Sequence, residues 1–461
     1  MGGGSSKSKD PAVGALKRLI IKVNDDKEWK GELPKFGKKE AKVAKKVELL
    51  DLSGCQLGPV VGATLGAALP VFHVLKTLIV KDTKLGTIGT KALCKAIAEL
   101  VKCSLTKLCL AGNYDEAMKL PDTTEAIAEA IKSAALKGLA ELDLSDNGIG
   151  PKGGIKLAAA LEEAKPPLTE LLLADCQLST TGGSVIGKAC ALIPTLKHID
   201  LFSCNIGDMG VASIAEFMTS CPLTSISLQA NAISWEGAVE FANGMLFTAA
   251  HLESLDISGN AFGNECNDGI NAIADSLQKS PPGKLTVFNF AENSLGDGDP
   301  TLLLTNFGKL KALEWLDLSS NRFRGNIGGV LAASLAELVE IRIVSINDNE
   351  RMGDEGVVPI LDVAVKLRKL KELHAGKTSL TSAGAQAAVK LLKQNAVLTK
   401  LDLLGNEGLN ASIDELKAAA GSVNRVMLTE DDTEKVRVGP LDARARYYEY
   451  LGSKRFIPVA A

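Results

Sequence analysis

Apolar residues recur along this chain in a short alternating phrase followed by a longer helical one. The phrase is clearest at 139–149. Leu139, Leu142 and Leu144 are apolar, Asn147 stands where the alternation ends, and Ile149 restores an apolar position. Leu142 and Leu144, two residues apart, predict a short strand with one buried face. Ile155, Leu157, Ala158 and Leu161 then fall on the inner face of a predicted helix that carries the chain back. One strand–helix unit of this size cannot bury both of its faces, so it needs neighbours.

The neighbours are present. The phrase occurs thirteen times, its first apolar residue running from Val47 through Leu75, Leu105 and Leu139 to Leu398 in steps of 27 to 34 residues, and a truncated copy starts at Val423. The turn position holds Asn or Cys in eleven of the thirteen copies, Thr83 and Thr378 being the others. A side-chain amide at that place can bond backbone groups that a turn leaves without ladder partners.

L-x-x-L-x-L-x-x-N-x-L is the spelling of a leucine-rich repeat. The period, the long helices and the Gly-rich strand-to-helix turns (Gly207-Asp208-Met209-Gly210, Gly353-Asp354-Glu355-Gly356) resemble the ribonuclease-inhibitor-like subclass, from about Val47 to Val436. That subclass includes ribonuclease inhibitor, the activators of the Ran GTPase, and axonemal and cytoskeletal repeat proteins. The resemblance implies an α/β leucine-rich-repeat solenoid, a horseshoe with a parallel concave sheet, convex helices and about 13 full repeats. It also implies a non-enzymatic scaffold for protein partners, with a cytoskeletal or flagellar setting by analogy. A GTPase activator like those of Ran is the alternative. Such activators carry a long acidic tail, whereas this chain ends basic and offers only Glu430-Asp431-Asp432.

Three segments follow from the pattern: a basic N-terminal segment at 1–46, the solenoid at 47–436, and a cap or tail at 437–461. The first 46 residues contain thirteen Lys or Arg and six Asp or Glu, a net charge of +7, so the rest of a chain of net charge −3 carries about −10. Met1 to Lys7 match an N-myristoylation pattern with Gly2 as the acceptor and Ser6 at the required place. A flexible Gly/Ser tail is the other reading. A single acyl chain binds membrane only marginally, so the basic residues would be the second signal for peripheral contact. Leu16, Leu19, Ile20 and Val23 share a helical face and predict a cap over the first repeat. Tyr447, Tyr448 and Tyr450 do the same at the other end, unless that helix is a docking tail.

Composition adds less. Nine cysteines without a C-x-x-C pair predict unpaired thiols and a reducing, cytoplasmic setting. No apolar run reaches membrane-spanning length and no signal peptide is visible. The four His are too dispersed for a metal site or a triad, so no metal, no cofactor and no catalytic residue are expected. Gly182 to Lys188 approach a phosphate-binding loop, but Ala189 replaces the Ser or Thr that would ligate magnesium.

The remaining candidates lie on the strand face that alternates away from the Leu pair. From the fourth to the eleventh repeat its columns hold ten acids and no Lys or Arg. Asp143, Asp200, Asp256 and Asp317 stand between the paired core residues. Glu141, Glu170 and Asp175 stand beside them, with Phe202 and Trp315 as aromatic anchors. Adjacent strands lie about 4.8 Å apart, so these acids form a stripe. It favours a protein partner with a basic surface and disfavours nucleic acid.

Overall fold

The computed structural model describes residues 45–429, apart from 56, 102–103, 114–121, 249, 264–265 and 422–424. Gly2, residues 1–44 of the basic N-terminal segment and the C-terminal cap or tail lie outside the described residues.

The chain divides into two compact units, Met1–Leu313 and Glu314–Ala461. In the first unit each repeat contributes one short strand: β1 (Leu49–Asp51), β2 (Thr77–Ile79), β3 (Lys107–Cys109), β4 (Glu141–Asp143), β5 (Glu170–Leu172), β6 (His198–Asp200), β7 (Ser225–Ser227), β8 (Ser254–Asp256) and β9 (Val287–Asn289). The second unit holds β10 (Trp315–Asp317), β11 (Ile343–Ser345), β12 (Glu372–His374), β13 (Lys400–Asp402) and β14 (Val426–Met427). Within each unit every strand pairs in parallel with the next in sequence. Helices alternate with the strands, as the α/β leucine-rich-repeat solenoid requires. The truncated copy at Val423 supplies β14.

The core is built as the alternation predicts. Leu139, Leu142 and Leu144 are at most 1% exposed, and so are their equivalents Leu168, Leu171 and Leu173. The helix Gly150–Ala164 buries Gly154, Leu157, Ala158 and Leu161, while Ile155 is 46% exposed. Three of the four residues predicted to face inward therefore do so, and Ile155 alone is turned outward. Gly154 explains the offset: a Cβ there would come within 3.0 Å of the Gly182 Cα in the next helix. Two glycines let the helices touch backbone to backbone, and that contact sets which side faces inward. The Gly182–Lys188 run lies inside the helix Ser179–Cys190, so its amides serve the helix and not a phosphate cradle.

The turn residues form the predicted ladder. Asn231 is fully buried; its Nδ2 donates to Leu201 and Gln229 carbonyls, and its Oδ1 accepts the Cys204 and Ile206 amides of the preceding repeat. Asn113, Asn260, Asn349 and Asn406 work in the same way. Cysteine substitutes chemically, since the Cys204 Sγ donates to the Leu173 carbonyl at 2.9 Å. The residue before each ladder position takes a left-handed conformation, with φ of 55° at Asp146, 54° at Asp175 and 56° at Glu292. That conformation swings the chain off the strand and presents the side chain beside the open face of the sheet.

Candidate functional site

In-register parallel pairing stacks the outward side chains into columns. Lys107, Glu141, Glu170 and His198 form one; Cys109, Asp143, Leu172 and Asp200 form its neighbour. Asp146, Asp175 and Glu292 belong to a third, made by the left-handed positions.

The strand-end aspartates do more than line the surface. Oδ1 of Asp143 accepts the Ser145 backbone N–H at 3.0 Å, Asp200 that of Phe202 at 3.0 Å, and Asp256 that of Ser258 at 3.0 Å. In the second unit Asp317 accepts the Ser319 amide at 2.9 Å. Each carboxylate holds the start of its turn, and a charged acceptor suits that task better than a neutral one. This has a cost for the sequence-based picture. Asp200, Asp256 and Asp317 were expected to face a partner, yet they are 2%, 1% and 7% exposed. Asp256 is held further by Ser258 Oγ and by Asn289 Nδ2 at 3.0 Å. Trp315, expected as an exposed anchor, is 3% exposed on the second unit's face, in register with Ile343. Phe202 is half-buried.

Glu141, Asp143, Glu170 and Asp175 are half-buried, and Asp146 and Glu292 are exposed. Three of these, Glu141, Asp143 and Glu170, share columns with Lys107 and Cys109 of β3, one repeat before the run of acids. Lys107 on β3 forms an ion pair with Glu141 on β4. Desolvation opposes the Lys107 charge, but the Glu141 hydrogen bond and charge outweigh it, and the ammonium's pKa rises. Beside it the Cys109 thiol donates to Asp143 Oδ2 at 3.2 Å. Burial and then the Asp143 charge push that thiol up to about 12, so it stays a protonated donor.

These residues border a cleft of about 200 Å³ on the open face between β2 and β5. Ile79 and Leu172 are its apolar walls; Glu141, Asp143 and Glu170 are its acidic ones. The second unit has a different polar cluster. His374 is fully buried, with Nε2 3.1 Å from Glu372 Oε2 and Nδ1 3.3 Å from Asp402 Oδ2. Among the described residues no group of three or more His, Cys, Asp and Glu is arranged to hold a metal ion, and no helix is long and apolar enough to cross a membrane.

Comparison with known proteins agrees with this geometry. A family model described as Leucine Rich repeat matches residues 139–158, 193–215 and 248–265. Ribonuclease inhibitor of Sus scrofa is 26% identical over 387 residues, covering 82% of this chain and 81% of the inhibitor. A NACHT, LRR and PYD domains-containing protein 5 of Bos taurus is 28% identical over 235 residues, which is 50% of this chain and 20% of that protein. The chain thus spans a fifth of the length of the bovine protein and about four fifths of the inhibitor. An internalin of Listeria monocytogenes is similar at 14% identity and a TM-score of 0.44, over 91% of this chain and 95% of that one. The repeats, the ladder and the relatives define a leucine-rich-repeat protein, a class that serves as protein-interaction scaffolds. Within that class the chain resembles the ribonuclease-inhibitor-like family over most of its length.

Proposed function

We propose that the open sheet face of the first unit binds a protein with a basic surface, as a non-catalytic scaffold. One observation carries this reading. From β4 to β9 the outward columns contain eight acids (Glu141, Asp143, Asp146, Glu170, Asp175, Asp200, Asp256 and Glu292) and no Lys or Arg. Buried carboxylates such as Asp256 cannot touch a partner broadly, yet their charge adds to the field that the half-buried ones project. A relative whose name is that of an inhibitor supports binding rather than turnover. The free thiols among the described residues fit a reducing, cytoplasmic setting.

The test uses three acids of the left-handed column. Asp146→Lys, Asp175→Lys and Glu292→Lys reverse charge where Lys is tolerated, because Lys377 occupies the same position in the second unit with φ of 51°. Affinity purification with the full chain should recover a partner that the triple variant fails to retain. Association with that partner should slow about tenfold or more at low salt and lose its salt dependence. Equal capture and unchanged rates would reject the reading.

A further inference from the structure

The cleft between β2 and β5 is too small for most cofactors and is not purely acidic, and both facts narrow what it can take. Its volume of about 200 Å³ holds roughly six waters at about 30 Å³ each. Ligand pockets generally run to about 300–1,000 Å³. The space therefore fits one side chain. Its chemistry is divided along the strands: Asp143 on β4 is in register with Leu172 on β5, and Glu170 lies on the same face of β5 two residues before Leu172. An apolar wall thus stands next to two carboxylates on adjacent strands. Lys107 is committed to Glu141, with the Glu170 charge also acting on it, so the three carboxylates that line the cleft meet only this one ammonium. The Cys109 thiol fixes Asp143 Oδ2 from the side opposite Leu172 in its column.

We infer that this cleft is the seat for a single arginine side chain of the partner protein, its stem along Leu172 and its guanidinium between Asp143 and Glu170. A planar fork of five donors suits two carboxylates on neighbouring strands better than a compact ammonium does. The aliphatic stem covers apolar surface that water would otherwise wet. The inference rests on the reading of this face as protein-binding, and it names the anchor within it.

The probe is the peptide acetyl-Gly-Ser-Arg-Ser-Gly-amide, compared with the same peptide carrying citrulline, which keeps the shape and loses the charge. Both are titrated into the methyl-labelled full chain and followed by NMR at Leu172 and Ile79. The arginine peptide should give saturable shifts at both methyl groups, and the citrulline peptide should bind about tenfold more weakly, as expected when charge-assisted hydrogen bonds are lost. Glu170→Gln combined with Asp143→Asn keeps the acceptor for Ser145 and should weaken the arginine peptide by a similar factor. Leu172→Trp fills the cleft and should abolish the shift at Ile79, which decides the matter if the double variant folds poorly. Equal binding of the two peptides, or shifts that survive Leu172→Trp, would overturn the inference. The variant reversed at Asp146, Asp175 and Glu292 should still bind the arginine peptide. Loss of partner capture there with peptide binding intact supports both readings, whereas capture that persists while peptide binding is also intact rejects only the broader one.

Discussion

Asn260 holds Asn231 from the next repeat: its Oδ1 accepts the Asn231 backbone N–H at 3.0 Å and that of Ile233 at 3.1 Å. Asn231 does the same for Cys204 and Ile206, at 3.1 and 3.3 Å. The side chain of one repeat completes the backbone of another, so the ladder makes stability a property of pairs of repeats.

Replacing Asn231 by Ala leaves two buried backbone amides without their acceptor and the Leu201 carbonyl without the Asn231 donor, while the Gln229 carbonyl keeps the Ser203 amide. At about 1–3 kcal/mol for each buried group left unpaired, the variant should lose at least about 2 kcal/mol. Cys204→Ala should cost less. Its sulfur donates to Leu173 and accepts from the Cys176 and Leu178 amides, but sulfur is weak in both roles. Denaturant midpoints of the two variants check the order; equal midpoints would remove the distinction.

Burial pushes the thiols of Cys94 and Cys204 up to about 12, whereas Cys55 and Cys266 are only half-buried. Iodoacetamide at mildly alkaline pH should label Cys55 and Cys266 in the native chain and reach Cys94 and Cys204 only after denaturation, as read by peptide mass spectrometry. The sign of the linked stability follows. A raised pKa favours the protonated thiol in the folded state, so its contribution is complete below the unfolded value of about 8.5 and is lost as pH rises through about 12.

His374 links Glu372 and Asp402 in the second unit. Burial pushes the Asp402 carboxyl up, but the His374 hydrogen bond and charge, with the Leu404 amide, pull it below the usual carboxylate range. A depressed carboxyl stabilises the fold above its unfolded value of about 3.9, and that contribution disappears as pH falls through the folded value. His374→Gln removes the imidazole partner of a buried carboxylate and should cost about 1–3 kcal/mol at neutral pH. Melts between pH 3 and 7 should show a shallower acid limb for the variant than for the parent; parallel limbs would separate His374 from the effect.

The sequence carried the fold because a strand and a ladder Asn recur at nearly fixed steps, and period two alone decides that Leu142 points in and Asp143 out. It also placed Glu141, Asp143 and Glu170 in adjacent columns. Depth was not legible. Whether an outward residue meets water depends on the side chains around it, and Asp200 sits among buried His198, Ser225 and Ser227, whereas Glu170 has half-buried Glu141 on one side of it in its column. Trp315 was hidden from the sequence for the same reason. Cys109 falls in the outward column by alternation alone, and Lys107, one repeat before the run of acids, is legible from the same register. The misplaced Ile155 has another origin: the rotation of a helix is set by where its glycines meet the next helix, and periodicity within one helix does not contain that.

The ladder also has a direction. The bonds that Asn260 makes beyond its own turn go to the repeat before it, at Leu228, Asn231 and Ile233. A repeat that comes loose therefore uncovers amides upstream, whereas the amides of the repeat downstream keep the acceptor supplied from their other side. Within a unit, opening that starts at the C-terminal side releases the next repeat in turn, while opening that starts at the N-terminal side meets a repeat still fully clamped from behind. The stack of turns behaves as a zipper with a preferred end.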